Sequence, residues 1–150
     1  MSRSFFNSAP VMKWLPFFLR PASAPHLQLG LWGEKQAERF LKSRGIKILG
    51  RRVRVGKHDE LDLLGREGNI LVIIEVKTRA VPGLNAPRKA VNARKRYRLS
   101  RAAARYARHL SPPPEHVRFD IVEVIGQPKG PAPEIRHHPA AFSMHHHFRL

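Results

Sequence analysis

From Leu29 onward the hydrophobic positions follow two periods. In LGLWGEKQAERFLKSRG, apolar or small residues at Leu29, Trp32, Ala37, Phe40 and Leu41 recur at helical spacing, and Gly45 supplies a stop. IKILGRRVRV then sets Ile46, Ile48, Val53 and Val55 against basic neighbours, which predicts a strand interrupted or bulged near Gly50. DELDLLG reads as a short second strand. NILVIIEVKTR reads as a third, and its unbroken apolar run from Ile70 to Ile74 predicts a central strand covered on both faces. After AVPGLNAP, the segment RKAVNARKRYRLSRAAARYARHL carries Ala90, Val91, Leu99, Ala102, Ala103 and Tyr106 at helical spacing among Arg and Lys. That predicts a long basic helix from about Arg88 to His109, ended by SPPPEH. VRFDIVEVIG alternates as another strand, and EIRHHPAAFSMHHHFRL offers one short strand followed by a tail. The order helix, three strands, helix, strand predicts an α/β fold with an αβββαβ core, a mixed sheet flanked by helices.

The first 28 residues show no such period. They are rich in Pro, Ser and Phe and read as a disordered or loosely packed extension, so the folded domain is expected over 29–142 and a tail over 143–150. VMKWLPFFLR is broken by Pro16 and lacks a small-residue cleavage site. No stretch reaches the roughly 18 apolar residues of a membrane span, so no membrane partner is expected.

Composition sharpens the picture. At 150 residues and 42% apolar, the chain suits one domain with a core. The absence of Cys excludes disulfides and Cys-ligated metal centres, and is compatible with a cytoplasmic protein. Lys and Arg outnumber Asp and Glu by 28 to 11, for a net charge of +17. Such a surface attracts polyanions, nucleic acid first and anionic membrane second. Neither a Gly-rich phosphate loop nor a Ser-His-Asp motif is present.

The acids are few, and their spacing matters. Gly68-Asn69 suits a type II′ hairpin turn. With those two residues as the loop, Glu67 faces Ile70, Asp62 faces Glu75, Glu60 faces Lys77 and His58 faces Arg79. The two-residue strand period then gathers Glu60, Asp62, Glu75, Lys77 and Arg79 on one face and sends Leu61, Leu63, Ile74 and Val76 to the other. Opposed carboxylates need a positive charge between them. Either a divalent cation such as Mg²⁺ is shared by Asp62 and Glu75, or Lys77 and Arg79 neutralise the acids in a structural network. In the first case the cation would polarise a phosphodiester while Lys77 orients or deprotonates the attacking water.

Taken together, GEKQAERFLKSRGIKIL, DELDLLGREGNILVIIEVKTR, RFDIVEVIG and the late HHPAAF resemble the bacterial YraN-like family over about residues 29 to 142. That resemblance implies a restriction-endonuclease-like fold, similar to archaeal Holliday-junction resolvases and the wider PD-(D/E)xK nucleases. It also implies a Mg²⁺ or Mn²⁺ site: Asp62 matches the metal-binding aspartate, Glu75 and Lys77 match the E-x-K pair, and Glu34 matches a helical acid. Glu38, one turn later, is the fallback for Glu34. The sequence departs from the family at Asp59, where glycine is usual, and the extra acid could perturb the metal site.

Arg88, Lys89, Arg94, Lys95, Arg98 and Arg101 on the basic helix are the candidate phosphate contacts. His137, His138 and the run His145–His147 read as tail composition. Two function classes follow. One is a metal-dependent endonuclease acting on DNA, including branched or damaged DNA in repair or recombination, for which a homodimer would suit a four-way junction. The other is a nucleic-acid-binding module that keeps the nuclease fold without turnover.

Overall fold

The computed structural model describes residues 25–82 and 91–150, so Arg88, Lys89 and Ala90 lie outside the described residues. The element order is α1 (Pro25–Ser43), β1 (Lys47–Val55), β2 (Asp59–Glu67), β3 (Ile70–Arg79), α2 (Ala93–Ala107), β4 (His116–Ile125) and β5 (Glu134–Phe142). This is the expected αβββαβ series extended by β5. It builds a five-stranded mixed sheet in the order β1-β2-β3-β4-β5. β3 and β4 are parallel, which requires a crossover, and α2 lies in that connection.

The unbroken apolar run of β3 is explained by cover on both sides. Leu71 and Ile73 pack with Leu99, Ala102 and Ala103 of α2, whereas Val72 and Ile74 pack with Ala37 and Leu41 of α1. The alanines let α2 approach the sheet closely. α1 stops where expected, in a Schellman motif. Gly45 takes a positive φ of 86°, its N–H donates to Lys42 O at 3.1 Å, and Ile46 N–H donates to Leu41 O at 3.1 Å. Ile46 and Leu41 then share one apolar cluster, which links this turn to the core.

Two boundaries differ from the sequence reading. α1 starts at Pro25, ahead of Leu29, because a proline at the first helical position forfeits no hydrogen bond. α2 starts at Ala93 because the Asn92 side chain accepts from Lys95 N–H at 2.9 Å and caps the helix there. Val91, expected inside the helix, is buried just before it. The bulge near Gly50 is present, as a register shift between Ile48 and Gly50.

Gly33 sets the distance between α1 and the sheet. A Cβ there would come within 1.8 Å of Thr78 Oγ1. Gly33→Ala is expected to push α1 off β3 at a cost of about 1–3 kcal/mol, measured by urea denaturation. An unchanged midpoint would contradict the close approach.

Candidate functional site

The hairpin register is the expected one from Glu67–Ile70 to Leu63–Ile74, and of its two loop residues only Gly68 has a positive φ, as type II′ requires. The ladder ends at Leu63–Ile74. The further backbone pairs expected for Asp62, Glu60 and His58 do not form. Instead the Asp62 carboxylate accepts the Val76 N–H at 2.9 Å, taking the place of a strand partner and letting β2 diverge. This fork also corrects the expected faces. Leu63, Ile74 and Val76 do share the α1 side, but Leu61 packs on the α2 side with Leu64 and Ile73. Released from β3, β2 rotates between Leu61 and Leu63.

Glu34, Asp62 and Glu75 line one hollow of about 410 Å³ at the fork, with Val76, Thr78 and the first turns of α1 completing its wall. Asp62 is pushed up to about 7, first by burial and then by the charge of Glu75, against the Val76 N–H and Lys95. Burial also raises Glu34, opposed by Arg52, whose Nε lies 4.0 Å from Glu34 Oε2; repulsion from Glu60 and Glu75 adds to the rise. Glu75 is buried. Its Oε1 accepts from Lys77 Nζ at 3.0 Å. Its Oε2 lies 3.1 Å from Lys95 Nζ, outside hydrogen-bonding geometry, and is left as a buried oxygen without a hydrogen-bond donor.

These observations fit a hard divalent cation. The donors are carboxylate oxygens, two of the acids resist ionisation on their own, and one buried oxygen lacks a donor. Among the described residues, ligand atoms of three such groups converge within 4.8 Å only at His145–His147, so the carboxylates face the hollow at wider spacing.

The remaining candidates fall into place around this hollow. Glu38, the fallback acid, is buried elsewhere. It pairs with Arg51 and with Lys42 Nζ at 2.6 Å, and the Arg51 hydrogen bond leads in lowering it to about 2. Glu60 pairs with Arg52 and Arg54 of β1 rather than with Lys77. Asp59 is buried but turned to α2, accepting from Arg101 Nε and Nη2 at 2.8 Å each and pairing with Arg98 at 3.4 Å. The acid that departs from the family pattern therefore clamps β2 to α2. Of the expected phosphate contacts, Arg98 and Arg101 serve this clamp, Lys95 joins Glu75, and Arg94 is exposed. Lys95 is the site residue that sequence reading placed in another role.

His137 and His138 are not tail. They lie in β5 and meet two buried acids of β4. His137 Nε2 lies 2.9 Å from Asp120, and His138 Nε2 lies 3.2 Å from Glu123.

The raised Asp62 has a stability consequence. The folded metal-free chain retains a proton that the unfolded chain releases near 3.8, so stability declines as pH rises from about 4 to about 7. Asp62→Asn keeps an acceptor for Val76 N–H without the charge. It is expected to stabilise the metal-free protein at pH 8 by about 1–3 kcal/mol and to flatten this decline. Identical pH profiles for the two proteins would contradict the assignment.

No helix among the described residues is long and apolar enough to cross a membrane. The Uncharacterised protein family UPF0102 matches residues 33–124, more than half of the chain. A UPF0102 protein of Symbiobacterium thermophilum is 41% identical over 103 residues, covering 69% of this chain and 86% of that protein. One from Rhodococcus opacus is 40% identical over 120 residues, covering 79% and 99%. One from Streptomyces coelicolor is 39% identical over 110 residues, covering 73% and 84%. The chain belongs to the uncharacterised family UPF0102, the YraN-like family that its motifs resemble.

Proposed function

We propose that this chain is a Mg²⁺- or Mn²⁺-dependent nuclease that hydrolyses phosphodiester bonds in DNA, including branched or damaged DNA. The observation that carries the reading is Glu75: a buried carboxylate oxygen met only by the Lys95 ammonium, outside hydrogen-bonding geometry, beside a second acid raised to about 7, at an open strand fork. Glu34, Asp62 and Glu75 would hold the ion. When bound, it would supply Lewis-acid polarisation of the phosphodiester and a more acidic water. Lys77, held at 3.0 Å by Glu75 and partly exposed, would orient or deprotonate the attacking water and offset charge on the scissile phosphate. Lys95 brings a second ammonium to the same edge from the opposite helix.

The surrounding charge favours a polyanion. One Asp59 carboxylate answers two guanidinium groups, so the clamp remains net positive. Such contacts would give salt-dependent affinity without sequence preference. A cytoplasmic enzyme working as a dimer on a two-fold junction is consistent with this chemistry.

A second reading has its own support. Lys77 and Lys95 already flank Glu75, as a salt-linked site without turnover would. The experiment that separates the readings incubates purified protein with forked, nicked and four-way DNA in Mn²⁺. Cleavage abolished by Asp62→Ala supports the nuclease. Binding without cleavage, unaffected by Asp62→Ala, supports the binding module.

A further inference from the structure

The segment after β5 forms a turn tied to α2. His145 N–H donates to Ser100 Oγ at 2.9 Å, and Ser100 is fully buried on α2. Phe148 N–H donates to His145 O at 2.9 Å and closes the turn. Tyr97, one helical turn before Ser100, sets its ring edge-on to His145 and tilted to Phe148, both at 5.1 Å between centroids. This anchoring distinguishes the segment from a loose histidine run.

We propose that His145, His146 and His147 form a binding site for a borderline divalent transition-metal ion of the Zn²⁺ type, separate from the carboxylate hollow. Ring nitrogens of all three lie within 4.8 Å of one another. His145 Nδ1 and His147 Nδ1 are 3.3 Å apart. A tetrahedral ion with Zn–N bonds of about 2.0–2.1 Å needs ligand nitrogens about 3.3–3.4 Å apart, so this pair spans one edge once the ion displaces the His147 N–H that His145 Nδ1 accepts at 3.3 Å. His146 is exposed, with its ring 4.3 Å from that of His145 and 4.5 Å from that of His147, and would supply the third ligand nitrogen. An all-imidazole donor set selects Zn²⁺, Cu²⁺ or Ni²⁺ over Mg²⁺. Water would take the fourth position on the exposed side. Metal binding would pin the chain end to α2, the helix that also delivers Lys95 and Arg101.

The test uses the full chain. Zn²⁺ is titrated by calorimetry in excess Mg²⁺, and Co²⁺ is followed by its visible absorption. The expected result is one equivalent bound, with intense tetrahedral Co²⁺ bands. His147→Ala should weaken binding at least about tenfold, as loss of a ligand does. Tyr97→Ala, which removes no ligand atom, should weaken it by a smaller factor, and Glu75→Gln should leave it unchanged. Absence of binding would overturn the proposal, as would unchanged affinity in His147→Ala. Full retention in Tyr97→Ala would also overturn it, because it would reduce the segment to an unanchored histidine tract.

Discussion

Replacing Asp62 with Ala is expected to lower Mn²⁺-dependent DNA cleavage by about a thousandfold or more, roughly 4 kcal/mol of transition-state stabilisation. The size follows from its position. Asp62 bridges the strand fork through Val76 N–H and is the acid most strongly raised by its surroundings. Without it, Glu34 and Glu75 remain in the lining of the hollow with no third acid to complete the donor set. DNA affinity should hold or rise slightly, since one negative charge has been removed from a basic surface. Lys77→Ala should cost about a hundredfold in rate while leaving Mn²⁺ affinity largely intact, because the role proposed for Lys77 is toward the water and phosphate and not the ion. A rate loss shared with a matching loss of DNA affinity would mean that Asp62 acts through binding instead.

The largest stability effect is expected at Asp120. This side chain is fully buried in β4. It accepts from Arg118 Nε at 2.9 Å, Arg118 Nη2 at 3.0 Å and Ala140 N–H at 3.0 Å, and His137 Nε2 lies 2.9 Å away. Burial alone would raise its carboxyl, but His137, Arg118 and the Ala140 N–H together hold it below the ordinary value. Ala140 sits at a positive φ of 50°, and its N–H is directed to this acid. Asp120→Ala leaves an imidazole and a backbone donor without their acceptor and leaves the Arg118 guanidinium with Glu67 alone. It should cost about 3–5 kcal/mol in denaturant unfolding, a large share of a typical domain's stability. The depressed carboxyl contributes stability above about 3.8 that disappears as pH falls through its lower folded value, so the variant's deficit should shrink in acid. A cost below about 1 kcal/mol would contradict the network.

The fold could be read from local chemistry wherever that chemistry was decisive. The two-sided run Ile70–Ile74, the glycine stop at Gly45 and the Gly68-Asn69 turn each admit few structures, and the chain adopts them. The turn also set the register as far as Leu63–Ile74, but Asp62 lies just past the last pair and reaches β3 through its side chain and Val76 N–H. Lys95 was not visible. Almost every face of the α2 sequence is basic, so the one lysine that meets Glu75 is chosen by how the helix docks. The inversion of Leu61 has a similar origin: period-two reasoning holds only while strands are paired, and β2 leaves its partner at Leu63. His137 and His138 looked like tail because their buried acids lie on another strand, 17 and 15 residues earlier.

The most direct test of the central claim is anomalous diffraction from a crystal soaked in Mn²⁺ at pH 8. The account predicts a peak in the fork hollow, bonded to the carboxylates of Asp62 and Glu75. Lys77 and Lys95 around an unmetallated Glu75, with manganese bound elsewhere or nowhere, would contradict it.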